Sequence, residues 1–251
     1  MSIAGPPEGF GGPVATSAEM ARIYIPAQGV ADWQALLADP VRQWRAGYSA
    51  MAAAQSWQAA AGLPPEIDAL LGGETELQLA IPEHKVPLPG RGADSQCDVF
   101  ALVQAGAQGV ALAIEAKVDE PFGPTVAEWL RPRSDNKQFR LSAICDLLGL
   151  DGPPPEVLRY QLLHRTAAAV LEAQRFRRPV AAMVVQSFSP GARWLEDFEA
   201  FARALDMDAG YGRLGRKRLP CGTELWIGWA QGAPDFLADP TQTGETPAWT
   251  G

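Results

Sequence analysis

The sequence predicts a single α/β domain in which a mixed central sheet is flanked by helices. Its 251 residues fit one large domain, and neither a Gly/Ser-rich linker nor an internal repeat divides the chain. Apolar residues make up 47% of the chain, which is ample for a core. The hydropathy pattern changes from helices to three strands, then to helices, a strand, a helix and a last strand. We expect this domain over 21–231, between a flexible N-terminus at 1–20 and a flexible tail at 232–251.

The first elements are predicted mainly by the spacing of apolar residues. A strand-like segment at 22–26 is followed by helical spacing over 31–37 and, after Pro40, over 41–61. Proline suits the first turn of such a helix. A short helix is predicted over 66–71.

Alternating polar and apolar residues then predict a strand over 76–83, and two mainly apolar segments predict strands over 97–103 and 110–118. The last two are separated by Gly106-Ala107-Gln108-Gly109, which predicts a hairpin with a four-residue turn. The rest of the chain predicts helices over 126–130, 137–148, 156–176 and 194–205 and strands over 180–188 and 224–229.

Composition excludes several kinds of site. Three well-separated cysteines without a CxxC pair do not predict disulfides or zinc, and two histidines cannot form a multi-histidine metal site. The net charge of −8 disfavours coating of nucleic acid through bulk charge, although it permits a local basic cleft. The segment 210–215 fits GxGxxG, but it follows a helix rather than the strand that a dinucleotide site needs.

The chain also lacks membrane and export signals. No stretch approaches the roughly 20 apolar residues that cross a bilayer. The N-terminus has neither a basic start nor an apolar core typical of a signal peptide. We therefore expect a cytoplasmic protein with no membrane partner.

The chemistry-bearing residues lie on the predicted hairpin. Asp98 begins one strand, and Glu115 and Lys117 end the next. Because side chains alternate along a strand, Glu115 and Lys117 share a face, and the hairpin can bring Asp98 beside them. Two carboxylates suit Mg²⁺, and an adjacent ammonium can orient water or stabilise charge on a phosphate.

This pattern resembles the PD-(D/E)XK nuclease superfamily, whose restriction-endonuclease-like fold has an αβββαβ core. The matching residues are Asp98, Glu115 and Lys117, and the order of elements agrees over about 41–188. The resemblance implies Mg²⁺-dependent (or Mn²⁺-dependent) hydrolysis of phosphodiesters in nucleic acid, with DNA the expected substrate. It also implies that Asp98, Glu115 and the carbonyl of Ala116 hold the metal and that Lys117 positions the water.

Context favours this acid-x-Lys triplet over two others. Three of the four lysines follow an acid by two positions, in Glu83-His84-Lys85, Glu115-Ala116-Lys117 and Asp135-Asn136-Lys137. Glu83 runs into a Pro/Gly loop and Asp135 lies in an unpatterned polar segment, so only Glu115 follows an apolar strand. Asp94 could replace Asp98, but it lies in the Gly-rich loop. The simpler interpretation is a cross-strand ion pair at a solvated strand end.

The helix predicted over 156–176 adds further candidates. Gln161 and Arg165 are four residues apart, and His164 is adjacent. Members of the superfamily often present a polar residue from this helix to the site, and Gln161 is the best match. His164, Arg165 and Arg140 are possible phosphate contacts.

One part of the superfamily pattern has no counterpart, because the helix Glu ahead of the first strand cannot be placed. The predicted helix offers Gln55 and Gln58, while Glu66 and Glu76 lie later. A second hypothesis is therefore a non-catalytic binding or assembly module that keeps the fold, and such a module could be a homodimer. Basic residues over 213–218 lie in a loop-like segment that could contribute to a cleft.

Overall fold

The computed structural model describes residues 29–37, 39–60 and 62–239. The expected N-terminus at 1–20, the strand at 22–26 and the tail at 240–251 lie outside these residues. Within 232–239, a 3-10 helix spans Pro234–Leu237. Its Phe236 and Leu237 pack beside the buried ring of Phe188, so this part of the predicted flexible tail is packed against the domain.

The helices follow the predicted order. They are α1 (Val30–Gln34), α2 (Pro40–Gln43), α3 (Ser49–Ala59), α4 (Pro65–Leu71), α5 (Val126–Trp129), α6 (Asp135–Leu148), α7 (Tyr160–Arg175) and α8 (Leu195–Ala204). α6 begins where the Ser134 side chain accepts from the Lys137 N–H and ends at Gly149 in the left-handed region. Within the described ranges, no helix combines the length and apolar content needed to span a membrane.

The strands of the described ranges form one six-stranded mixed sheet, which confirms the predicted α/β fold class. They are β1 (Thr75–Val86), β2 (Ser95–Ala105), β3 (Gln108–Lys117), β4 (Val180–Ser187), β5 (Gly215–Arg218) and β6 (Glu224–Gln231). The order across the sheet is β1-β2-β3-β4-β6-β5. β1, β2 and β3 are antiparallel neighbours, β3, β4 and β6 are parallel, and β5 is antiparallel to β6.

Helices cover both faces of the sheet. Ala111 and Ala113 of β3 face a core shared with α6, α7 and α8, whereas Leu112 and Ile114 face a core shared with α1, α3 and α4. This alternation follows the two-residue period of a strand. Every residue of β4 is buried, as expected for a central parallel strand covered on both faces.

The helix predicted over 41–61 is interrupted. Residues 44–48 connect α2 to α3, with Gly47 at φ 79 and Tyr48 extended at φ −106, ψ 150. The left-handed backbone of Gly47 is available to glycine without a steric penalty. This connection matters because it reaches the site described below.

Three other boundaries differ from the predictions. The hairpin turn has two residues, Gly106-Ala107, because β2 and β3 pair up to Ala105 and Gln108. α7 begins at Tyr160 rather than 156, since the carbonyls of Glu156 and Leu158 accept from the start of α5. The segment 213–218 is not all loop, because Gly215–Arg218 forms strand β5.

Candidate active site

An open cleft of about 620 Å³ lies where β3 ends and β2 begins. Open α/β sheets commonly bind ligands at the carboxyl ends of their parallel strands, and β3 and β4 end here together. The cleft is lined by Leu37, Asp39, Arg42, Gln43, Arg45, Tyr48, Ser49, Ala50, Glu83, Gln96, Asp98, Glu115, Lys117, Glu120, Gln161 and Arg165.

The structure brings Asp98, Glu115 and Lys117 together in this cleft. The Lys117 ammonium donates to Glu115 Oε1 at 2.5 Å, and the backbone N–H of Ala116 donates to Asp98 Oδ2 at 2.7 Å. Glu115 and Lys117 share a face, as the alternation predicts, while Ala116 packs in the opposite core beside α3. Register and alternation thus account for the convergence of the three side chains.

Helix α7 supplies two more of the predicted side chains. Gln161 Nε2 donates to Glu115 Oε1 at 2.7 Å, and Arg165 Nε donates to Glu115 Oε2. Arg165 also donates through Nη1 to the Ser95 hydroxyl at 2.9 Å. Their spacing of four residues places both on the helix face that meets the end of β3.

Glu115 is an anion held between two cations. Only 2% of the residue is exposed, and burial by itself would raise its pKa. The charges of Arg165 and Lys117 outweigh burial and lower the pKa of Glu115 to about 2. The carboxylate is therefore ionised at neutral pH, and three donors surround it.

Asp98 has the opposite electrostatic character. Burial and the negative charge of Glu115 raise the pKa of Asp98 to about 7, against the opposing effects of Lys117 and Arg165. A carboxyl group with such a raised pKa is one that an added cation would stabilise in its ionised form. Perturbed pKa values of this kind cluster at functional sites.

Glu83 is a third carboxyl group in the cleft, although the Pro/Gly residues that follow it in the sequence predicted a loop. The register of β1 against β2 places Glu83 opposite Asp98. Burial and the charge of Asp98 raise the pKa of Glu83 to about 8. Its backbone has φ 53, a left-handed conformation that is uncommon for a residue with a side chain and costs about 1–3 kcal/mol. The sequence did contain one indication that Glu83 faces the cleft side of the sheet. Glu83 lies two residues after Ile81, which packs in the core on that face.

The cleft contains oxygen atoms of the kind that a hard divalent cation takes as ligands. In a strand, the N–H and C=O of one residue point to the same side, so the carbonyl of Ala116 faces β2 like its N–H. No group of three or more His, Cys, Asp or Glu side chains in the described part of the chain is arranged to hold a metal. Because Lys117 and Arg165 engage Glu115, the best-fitting ligands are Asp98 and the Ala116 carbonyl, with Glu83 or Glu115 completing the set.

Two predicted phosphate contacts lie outside the cleft. Arg140 donates to the carbonyls of residues 89, 90 and 93, so it fastens the loop before β2 to α6. The Nδ1 of His164 lies 2.9 Å from the Ser95 hydroxyl, and burial with the charge of Arg165 lowers its pKa to about 3. His164 is thus neutral at pH 7 and supports Ser95, which in turn accepts from Arg165.

Asp94 and the candidates for the helix Glu also lie outside the cleft. Asp94 is exposed in its loop and does not line the cleft. Gln55 donates to the carbonyls of Phe236 and Ala238, and Glu66 accepts from Gln186. None of the residues considered for the helix Glu lines the cleft, whereas Glu83 does.

Comparison with known families covers most of the chain. The profile of a family described as a domain of unknown function, DUF6946, matches residues 26–234. The chain belongs to the DUF6946 family. No curated protein and no solved structure matches it. The chemistry of this DUF6946 domain therefore has to be argued from its cleft.

Proposed function

We propose that this protein is a divalent-cation-dependent nuclease that hydrolyses phosphodiester bonds, with DNA as its substrate. The observation that supports this most is the convergence of Asp98, Glu115 and Lys117 in one open cleft. The three residues lie on adjacent antiparallel strands, in the arrangement expected from the resemblance to PD-(D/E)XK nucleases. A cytoplasmic location belongs to the same proposal.

The charges of the cleft indicate why a cation is needed. Its lining contains four cationic side chains and five carboxyl groups. When Asp98 and Glu83 are ionised, the five carboxylates outnumber the four cations and would repel a phosphodiester. A bound Mg²⁺ would neutralise this charge and act as a Lewis acid towards the phosphate. Asp98 and Glu83 would lose their protons as they bind it, so metal affinity should rise with pH.

Lys117 would act on the phosphate, while the side chains around Glu115 would position that carboxylate. The Lys117 ammonium orients the attacking water and stabilises negative charge on the pentavalent phosphate. The water oxygen would bond to phosphorus as the bond to the leaving sugar oxygen breaks. One water proton would pass to solvent, and the leaving oxygen would take a proton from solvent. Arg165 and Gln161 hold Glu115 in place through Oε2 and Oε1.

A cleavage assay with a matched pair of lysine variants tests the proposal. Supercoiled plasmid and a labelled oligonucleotide are incubated with Mg²⁺ or Mn²⁺. Lys117→Met should lower the rate by about 100-fold or more, the scale expected when a charge-stabilising group is removed. Lys85→Met is the control, because Lys85 also follows an acid by two positions but is exposed and does not line the cleft. Cleavage that survives Lys117→Met would refute the assignment.

Calorimetric titration of Mn²⁺ tests the metal site without a guess at the substrate. Wild type should bind Mn²⁺, and an Asp98→Asn/Glu115→Gln double variant should not. Because Glu115→Gln removes the anion held between Lys117 and Arg165, circular dichroism first establishes that the double variant is folded, and Asp98→Asn alone is titrated beside it. Equal binding by the two proteins would exclude these residues as ligands, and a null result is repeated with DNA present.

A second candidate is a non-catalytic binding or assembly module. One observation favours it: both oxygens of Glu115 already accept hydrogen bonds from Lys117, Gln161 and Arg165. Such a module would bind no Mn²⁺ at the cleft and would not cut DNA under any metal condition. A homodimer is compatible with either candidate and is measured by sedimentation.

A further inference from the structure

Three exposed side chains of the α2–α3 region line the same cleft as the catalytic candidates. They are Arg42, Arg45 and Tyr48. The Arg42 side chain is 83% exposed and lies 4.0 Å from Asp39, and Tyr48 is 41% exposed. Arg45 forms no ion pair with the described part of the chain. Two cations and one aromatic ring are thus available to a ligand entering the cleft.

Hydrogen bonds of the residues before and after Tyr48 hold its backbone close to the end of β3. Glu120 accepts from the Ser49 N–H at 2.9 Å through Oε1 and from the Val118 N–H at 3.0 Å through Oε2. This carboxylate therefore joins the residue after Tyr48 to the residue after Lys117. The Gly47 N–H donates to the Leu237 carbonyl at 3.0 Å. The ring is therefore carried on a backbone fixed relative to the end of β3.

The depth of the catalytic groups limits what can reach them. Only 2% of Glu115 and 5% of Lys117 are exposed, so a phosphate has to enter the cleft to meet them. A volume of about 620 Å³ accommodates a ligand of small-molecule size. One or two nucleotides of a single strand are ligands of roughly this size. Enzymes that take a nucleotide into a recessed pocket draw it from a single strand or extrude it from a duplex.

Resting on the nuclease function proposed above, we propose that the α2–α3 connection makes the cleft selective for single-stranded DNA. Tyr48 stacks on the base beside the scissile phosphate, and Arg42 and Arg45 contact the flanking phosphates. An aromatic ring with adjacent cations is the combination that proteins use to bind unpaired strands without reading their sequence. The preference is therefore for unpaired structure rather than for a particular base sequence.

Binding is measured by fluorescence anisotropy in the Lys117→Met background with Mn²⁺, so that the strand stays intact. The probes are fluorescein-labelled dT15, a 15-base-pair duplex, a 15-mer of abasic sites and U15 RNA. We expect dT15 to bind at least 10-fold more tightly than the duplex. Tyr48→Ala should weaken binding of dT15 by about 5- to 150-fold, the measured range for one base stacked on an aromatic residue. Tyr48→Trp should retain the affinity.

Two matched controls accompany these variants. Tyr211→Ala removes another exposed tyrosine, one that does not line the cleft, and should leave binding unchanged. The abasic strand should bind equally to the Tyr48→Ala protein and to its parent, because it offers no base to stack. Replacing Arg42 or Arg45 by Gln should lower the slope of log affinity against log salt by about 0.7 each, whereas Arg133→Gln, outside the cleft, should not.

Equal affinity for dT15 and duplex, or unchanged binding after Tyr48→Ala, would overturn the inference. Tighter binding of U15 than of dT15 would overturn the choice of DNA. Cleavage assays separate this failure from that of the nuclease function. Lys117-dependent cleavage of duplex and single strand at equal rates refutes only the strand selectivity, whereas no binding of any probe and no cleavage refute both.

Discussion

Asp98 provides a quantitative test of the site through its protonation. Burial and the charge of Glu115 raise the pKa of Asp98 from 3.8 to about 7 in the folded protein. Each tenfold change in proton affinity corresponds to about 1.4 kcal/mol. Ionising Asp98 in the folded state therefore costs up to about 4 kcal/mol relative to the unfolded chain.

The sign of the effect on stability follows from proton binding. Between pH 3.8 and about 7, the folded protein holds a proton on Asp98 that the unfolded chain has released. The contribution of Asp98 to the free energy of unfolding therefore falls as pH rises through this window and is constant above it. Glu83, whose pKa is raised to about 8 by burial and by Asp98, extends the same trend to higher pH.

The substitution Asp98→Asn removes the ionisation while keeping an oxygen that can accept from the Ala116 N–H. Between pH 5.5 and pH 8, the part of this window in which the stability of wild type still changes runs from pH 5.5 to about 7, which is about 1.5 pH units. The variant should therefore gain about 2 kcal/mol in unfolding free energy over wild type across this range. For a chain of this size, that is about 4–8 °C in melting temperature.

The measurement is urea unfolding followed by tryptophan fluorescence, at both pH values and with EDTA present. Asp94→Asn is the control, because Asp94 is exposed in a loop, and its stability difference from wild type should not change with pH. A difference between Asp98→Asn and wild type that stays constant from pH 5.5 to 8, or that shrinks, would refute the electrostatic reasoning. Mn²⁺ at 100 times its Kd should stabilise wild type by about 2.7 kcal/mol at pH 8 and leave the variant unchanged.

Two further predictions concern stability. Arg165→Leu should lower the free energy of unfolding by about 3–5 kcal/mol, because it leaves the buried carboxylate of Glu115 with one cation fewer. Urea titrations measure the loss, and a value below about 1 kcal/mol would show that the pair is not buried as described. Gly232→Ala should cost about 1–3 kcal/mol in thermal melts, since the new Cβ would lie 2.5 Å from the ring of Phe188. Gly191→Ala is its control, because nothing lies within 4 Å of a Cβ there, and equal melting temperatures for the two variants would contradict the packing argument.

Local pattern was enough to predict most of the sheet. β1, β2 and β3 alternate or run apolar between turn residues, and β4 is apolar from Val180 to Val185. The break between α2 and α3 was missed, because alanine-rich helical spacing continues through it. What decides the break is tertiary: Gly47 binds the Leu237 carbonyl, which is distant in sequence.

The parts of the site that depend on strand register could be predicted from the sequence. The parts that depend on contacts between residues distant in sequence could not. Glu115 and Lys117 meet Asp98 because a hairpin fixes their relation. Arg140 was wrongly predicted to contact phosphate. Nothing in the local sequence indicates that the loop before β2 folds onto α6 and that its carbonyls accept hydrogen bonds from the Arg140 guanidinium. Glu83 was missed because the proline and glycine residues after it suggested a loop, whereas β1 continues to Val86.

Strand β5 limits how this sheet can grow. It lies at the margin of the sheet, and among the described strands it pairs only with β6, so its other side presents backbone groups that no described strand pairs. Its sequence from Gly215 onward is Arg216-Lys217-Arg218, and two neighbouring copies would bring these like charges together. Charged residues on such a margin discourage intermolecular strand pairing and aggregation. Self-association of this chain would therefore have to use a surface other than the β5 margin.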